Sequence, residues 1–192
     1  PEWFAARLGC LTGSVAADIM GKLKSGGETA ARRDLRLKLA IERITGEPYE
    51  QDNYVSPAMQ RGIDLEPMAR RMYEMASGYL VQTSGFIRRM DLHAGCSLDG
   101  SMSHTEGILE IKCPKSATMI QYLTEDRVPS DYLHQITHNL WVTGAQWCDF
   151  VAYDDRLPDG LQFFLKRVRA ADLDIPGYDE IARSFLSEDR KS

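Results

Sequence analysis

From Ser97 to Pro114 the chain reads S-L-D-G-S-M-S-H-T-E-G-I-L-E-I-K-C-P, so Asp99 is followed eleven residues later by Glu110-Ile111-Lys112. Two carboxylates and an ammonium gathered at one point suit a hard divalent cation, because carboxylate oxygens prefer Mg²⁺ or Mn²⁺. Residues 107–113 are mostly apolar and turn polar at alternate positions towards their end, which is the period of a strand. Alternation then puts Glu110 and Lys112 on one face and Leu109, Ile111 and Cys113 on the other. Asp99 precedes Gly100 at the head of a turn, and a hairpin would bring it back beside Glu110. The competing reading is a surface hairpin whose three charges are only solvated.

Other residues have types and spacings that suit chemistry. On a helix, Glu66, Arg70 and Tyr73 share a face at three- and four-residue spacing. That makes Glu66 either a third carboxylate over the sheet or half of an ordinary surface pair with Arg70. Arg7, Thr12 and Ser14 precede a helix, where a guanidinium, hydroxyls and free N–H groups form a phosphate pocket; the alternative is a simple cap with an exposed Arg. His134 and His138 stand four apart, but the residue after His134 is Gln135, not the Glu of a zinc protease. That helix is expected to turn Gln135 inward and bury Leu140 and Trp141, with both His at its edges. No Gly-rich phosphate loop and no G-x-S-x-G turn is present.

The elements that must hold these residues follow from the hydrophobic periods. Ser14 reads as the cap of a helix to about residue 23, and residues 24–28 (K-S-G-G-E) as a loop. Residues 28–44 have helical spacing at Leu35, Leu39, Ile41 and Ile44, and Gly46 closes them. Ser56-Pro57 opens another long helix to about residue 75, ended by Gly78. The period then changes to short strands at 79–83, 85–89, 92–97 and 107–113. Helices return at 118–123 and 132–143, strands at 146–153 and 161–167, and a last helix at 179–187. The order predicts a single α/β (α+β) domain over residues 1–192, with a central mixed sheet flanked by helices.

Composition narrows the class. The 192 residues are 43% hydrophobic and 27% charged, as in a water-soluble globular chain, and no run is long enough to span a membrane. There is no secretory leader pattern. Cys10, Cys96, Cys113 and Cys148 are scattered without a C-x-x-C pair, which reads as reduced thiols in a cytosolic protein. The net charge of −5 runs against a general affinity for nucleic acid. Acids that hold metal ions contribute to such a charge, and Arg32, Arg33, Arg36, Lys38 and Arg61, Arg70, Arg71 form local basic groups.

Four blocks in sequence resemble the lambda exonuclease family, the YqaJ-type phage recombination nucleases of the PD-(D/E)xK group. They are W-x-x-x-R-x-G-x-x-T-x-S from Trp3, G-x-x-x-E-x-x-A-R from Gly62, S-x-D-G with L-E-I-K-C-P from Ser97, and Q-x-x-x-x-L-W-V-T from Gln135. The resemblance implies a restriction-endonuclease-like core. It implies metal binding by Asp99, Glu110, the Ile111 carbonyl and Glu66, with Lys112 as the catalytic lysine beside these acids. Arg7, Ser14, Ser97 and Gln135 would hold a 5′-phosphate, and Met59 would wedge the duplex end. The implied activity is 5′→3′ digestion of one strand of linear double-stranded DNA with two Mg²⁺ or Mn²⁺ ions. A homotrimer, a single-strand annealing recombinase as partner, and a phage or prophage origin in a bacterial cytoplasm are implied with it. An endonuclease or repair nuclease of the same group is the alternative. One departure is Leu98, where members of the family often have Pro.

Overall fold

The computed structural model describes residues 2–21, 23, 26–49, 55–102 and 106–188. Part of the expected loop at 24–28 lies outside these, as do the side chain of Trp3 and residues 103–105 of the hairpin. The chain opens with helix α1 (Glu2–Arg7), a 3₁₀ turn (Gly13–Val15) and the short helix α2 (Ala16–Met20). Ser14 therefore lies inside the turn and is not the cap; Thr12 stands in that place, without a side-chain cap bond. Helix α3 (Ala30–Thr45) is capped by Thr29, whose hydroxyl accepts from the Arg32 N–H, and ends at Gly46 with φ 70°. Helix α4 (Pro57–Ser77) starts as expected, with the Ser56 hydroxyl accepting from the Met59 N–H and Pro57 needing no partner.

Seven strands follow the first four helices: β1 (Val81–Gln82), β2 (Ile87–Arg88), β3 (Gly95–Cys96), β4 (Gly100–Met102), β5 (Gly107–Lys112), β6 (Trp147–Tyr153) and β7 (Phe163–Arg169). Helices α5 (Ser116–Glu125) and α6 (Ser130–Thr143) connect β5 to β6, and α7 (Ile175–Glu188) closes the chain. Five strands form one sheet in the order β1-β4-β5-β6-β7, and β2-β3 pair separately. Within the described sheet β5 and β6 run parallel and the other neighbours antiparallel, and the α5–α6 crossover is what allows the parallel pair. The fold is thus the expected mixed α/β with a central sheet. Strand β4 has no hydrophobic alternation of its own; its pairing with Leu109 and Ile108 on one side and Val81 on the other makes it a strand. The hairpin β2-β3 stands apart from the sheet that 85–89 and 92–97 were expected to join.

Both faces of β5 are covered, so it is buried along most of its length. Leu109 and Ile111 pack with Ala69 and Tyr73 of α4. Ile108, on the opposite face, packs with Met119 of α5 and with Ile136 and Leu140 of α6. Among the described residues no helix is long and apolar enough to cross a membrane, and all four cysteines are free thiols.

At the mouth of β5, a Cβ placed on Gly107 would lie 2.2 Å from the Trp147 ring, which Arg167 covers at 3.5 Å from the ring centroid. Tyr79 packs against the same ring with centroids 5.7 Å apart, which opposes its withdrawal. Gly107→Ala is expected to lower unfolding free energy by about 1–3 kcal/mol through overpacking. Urea denaturation would measure it, and an unchanged midpoint would contradict it.

Candidate functional site

Glu110 and Lys112 extend from the β5 face that α6 covers, as the alternation requires. Glu110 is 2% exposed, and its carboxylate receives three donors. Lys112 Nζ lies 2.6 Å from Oε1, Gln135 Nε2 donates to the same oxygen at 2.5 Å, and Asn139 Nδ2 donates to Oε2 at 3.2 Å. Lys112 also reaches Gln135 Oε1 at 3.4 Å and stands 5.1 Å above the centre of the Tyr132 ring. Tyr132, Gln135 and Asn139 are all on α6, so a single helix face dresses the acid and its lysine.

Asp99 joins from the turn before β4. Its Oδ2 accepts the Ile111 N–H at 2.6 Å, which fixes it beside the strand next to Glu110. The Arg70 guanidinium donates to the Asp99 carbonyl at 3.0 Å and to Glu66 Oε1 at 2.5 Å. Glu66 is therefore engaged with Arg70, the bland pairing, while its charge still reaches Asp99 and Glu110. Among the described residues no three His, Cys, Asp or Glu side chains gather closely enough to enclose an ion alone. Past Lys112, Arg61 and Arg156 donate to the Pro114 carbonyl and to buried Asp154, pinning the exit of the strand.

The electrostatics show a charge surplus. Burial, and then the neighbouring Glu110 charge, push the Asp99 carboxyl up to about 7; the Ile111 N–H and Lys112 only partly offset this. Burial likewise raises Glu110 against the pull of Lys112. Burial alone would lower the Lys112 ammonium, but attraction to Glu110 outweighs it and the pKa rises. Two acids share one firmly held cation. The set of hard oxygens fits a small divalent ion, which keeps several waters and needs only one or two carboxylates.

Arg7 and Ser14 line a cavity of about 260 Å³ together with Phe4, Thr12 and Lys38. Burial lowers the Arg7 pKa, while Glu42 pulls it back up. The Thr12 and Ser14 hydroxyls lie 3.3 Å apart. Ser97 and Gln135 do not line this cavity: Ser97 is half-buried after β3, and Gln135 is turned to Glu110. Met59 projects from the first turn of α4 and is 57% exposed. His138 is wholly buried, not at a helix edge, between the Tyr178 hydroxyl and the Gly95 carbonyl; burial lowers it to about 4. Of the basic groups, Arg32 and Arg36 pair with Glu28 and Glu188, and Arg61 with Asp154 and Asp155. Asn139 and Tyr132 were not singled out from sequence. The signal for Asn139 was its place one helical turn beyond Gln135, on the same face.

The profile of the YqaJ-like viral recombinase domain matches residues 2–146, well over half of the chain. The chain belongs to this family. Among solved structures, an alkaline exonuclease (LHK-Exo) from Laribacter hongkongensis is 38% identical, with a TM-score of 0.87 covering 99% of this chain and 92% of that one. The same enzyme in complex with dAMP matches equally well. A phage-related exonuclease from Haemophilus somnus 129PT, 13% identical over 93% of this chain and 94% of its own with a TM-score of 0.63, shares the fold. No curated protein matches. The YqaJ-like family is the one that the four sequence blocks resemble, and its match spans all four of them in full.

The raised carboxyls set the sign of a pH effect. A folded-state pKa above the ordinary value means that the folded, metal-free protein holds more protons than the unfolded chain. Its stability must then fall as pH rises from about 4 through about 7. Asp99→Asn is expected to flatten that fall and to raise the melting temperature of the metal-free protein at pH 8. Melting curves from pH 5 to pH 8 check it, and an unaltered slope in the variant would contradict the assignment.

Proposed function

We propose that this chain is a divalent-metal-dependent deoxyribonuclease, a 5′→3′ exonuclease that digests one strand of linear double-stranded DNA from a 5′-phosphorylated end. The reading rests above all on one observation, the contact of Glu110 with Lys112 and Gln135 beside Asp99, in a chain 38% identical to an alkaline exonuclease over nearly its whole length. Asp99, Glu110, the Ile111 carbonyl and Glu66 would hold one or two Mg²⁺ or Mn²⁺ ions. When bound, such ions lower the pKa of a water and offset charge on the scissile phosphate.

The chain's own residues supply the rest. Lys112, kept protonated by Glu110, offsets charge that develops on the phosphate oxygens and orients the attacking water. Gln135 holds Glu110 and Lys112 in register through its amide. Arg7 and Ser14, with Ser97 and Gln135, bind the terminal 5′-phosphate; Thr12 and Lys38 beside Arg7 and Ser14 in the cavity support the part of the first two. Met59 wedges the end of the duplex, as its exposure permits.

The chain acts as one nuclease domain in the cytoplasm of a bacterial host, on DNA ends destined for phage-type recombination. The 3′ single strands it leaves pass to a single-strand annealing recombinase. Exposed Leu37, Ile41 and Ile44 on α3, and Ile63 and Met75 on α4, support an assembly that covers them, a homotrimer.

Digestion of linear duplex with Mg²⁺ tests the proposal. A 5′-phosphorylated end is expected to be consumed faster than a 5′-hydroxyl end, with a covalently closed circle spared. Lys112→Ala should lose about 10²–10⁴-fold in kcat with its melting transition retained. Cutting of the circle, or an active Lys112→Ala, would overturn it.

A further inference from the structure

Asn139 joins two parts of the molecule that the proposed reaction uses separately. Its Nδ2 donates to Glu110 Oε2, and the side chain is 2% exposed. Its Oδ1 faces the backbone of Gly13, where an added Cβ would lie 2.6 Å from it and 3.1 Å from Gln135 Cγ. Gly13 is the residue between Thr12 and Ser14, both of which line the Arg7 cavity. The segment is anchored just upstream, where the Leu11 N–H donates to the His93 carbonyl and the Leu11 carbonyl accepts the Gly95 N–H. Less room than a methyl group needs therefore separates the Thr12–Ser14 wall from Asn139, whose amide holds the oxygen of Glu110 that Lys112 and Gln135 leave free.

We propose that Asn139 is a positioning residue that couples the seating of a terminal phosphate in the Arg7–Ser14 cavity to the orientation of the Glu110 carboxylate. This rests on the exonuclease reading above. The glycine at position 13 is what allows the coupling: its φ lies outside the left-handed region, so the requirement there is for space against Asn139. Seating of the phosphate therefore acts on turnover as well as on affinity, and preference for 5′-phosphorylated ends arises partly in kcat.

The test compares kcat and KM on blunt duplexes with 5′-phosphate and 5′-hydroxyl ends. Asn139→Ala is expected to lower kcat on phosphorylated ends by about 10–100-fold, the usual cost of losing a group that orients a metal-binding carboxylate. KM should change far less, and the kcat preference for the phosphorylated end should collapse. Gly13→Ala, which removes no side chain of the site but displaces that of Asn139, should lose the same preference, so it serves if Asn139→Ala does not fold. The double variant Gly13→Ala/Asn139→Ala should be little worse than Asn139→Ala alone, because the tightest contact of the added methyl, with Asn139 Oδ1, is gone and only the looser one with Gln135 Cγ is left. A wild-type protein indifferent to the end would fail the exonuclease reading and this inference with it. Retained preference in both single variants, with kcat lowered equally on both ends or not at all, would overturn the coupling alone.

Discussion

Burial of the Glu110 carboxylate is the constraint on which the rest of the structure depends. A carboxylate at 2% exposure is costly unless its oxygens are supplied with donors. Those donors are one ammonium on the same strand and two amides on α6, so α6 must lie along β5 with Gln135 and Asn139 facing it. The α5–α6 crossover also lets β6 run parallel to β5, and it closes the face on which Ile108, Ile136, Leu140 and Phe150 pack. The polar trio on Glu110 and the apolar cluster beneath it are two consequences of the same helix placement.

The second acid makes the arrangement electrically incomplete. Asp99 is tied to the Ile111 N–H and Arg70 to the Asp99 carbonyl, so the carboxyl cannot swing away from Glu110. The protein holds two acids close together and gives them one lysine, while Arg61, Arg70 and Arg156 are committed to other oxygens. A proton on Asp99 relieves the surplus in the metal-free state, and a divalent cation would relieve it better. Stability and the proposed chemistry are opposed here, since the geometry that raises the Asp99 pKa is also the one proposed to hold a cation.

Much of this was legible in the sequence. Period-two alternation in 107–113 gave the two faces of β5 correctly, because a strand leaves side chains no other choice. Ser56-Pro57, Gly46 and Gly78 marked helix ends through cap chemistry that is local. What could not be read was set by distant partners. Strand β4 exists only because Ile108 and Leu109 pair with it. His138 is buried because Tyr178, forty residues on, and the Gly95 carbonyl satisfy both ring nitrogens. The local basic groups at Arg32, Arg36 and Arg61 are in fact neutralised, in part by acids far along the chain, Glu188 for Arg32 and Arg36 and Asp154 for Arg61, and in part by the nearby Glu28. Ser14 was read as a cap, yet the Leu11 pairing with Ala94 sets that segment's course and leaves Ser14 inside the turn. The roles proposed for the site residues come only from the resemblance of the four spaced blocks, each of which alone is a loose pattern.

Calorimetric titration of the protein with Mn²⁺ near pH 6.5, in buffers of different ionisation enthalpy, tests the central claim most directly. If Asp99 and Glu110 form an electrically incomplete cation site, Mn²⁺ binds and releases close to one proton per site, and Glu110→Gln abolishes binding while the fold persists. Binding without proton release, or binding that survives Glu110→Gln, would contradict the account.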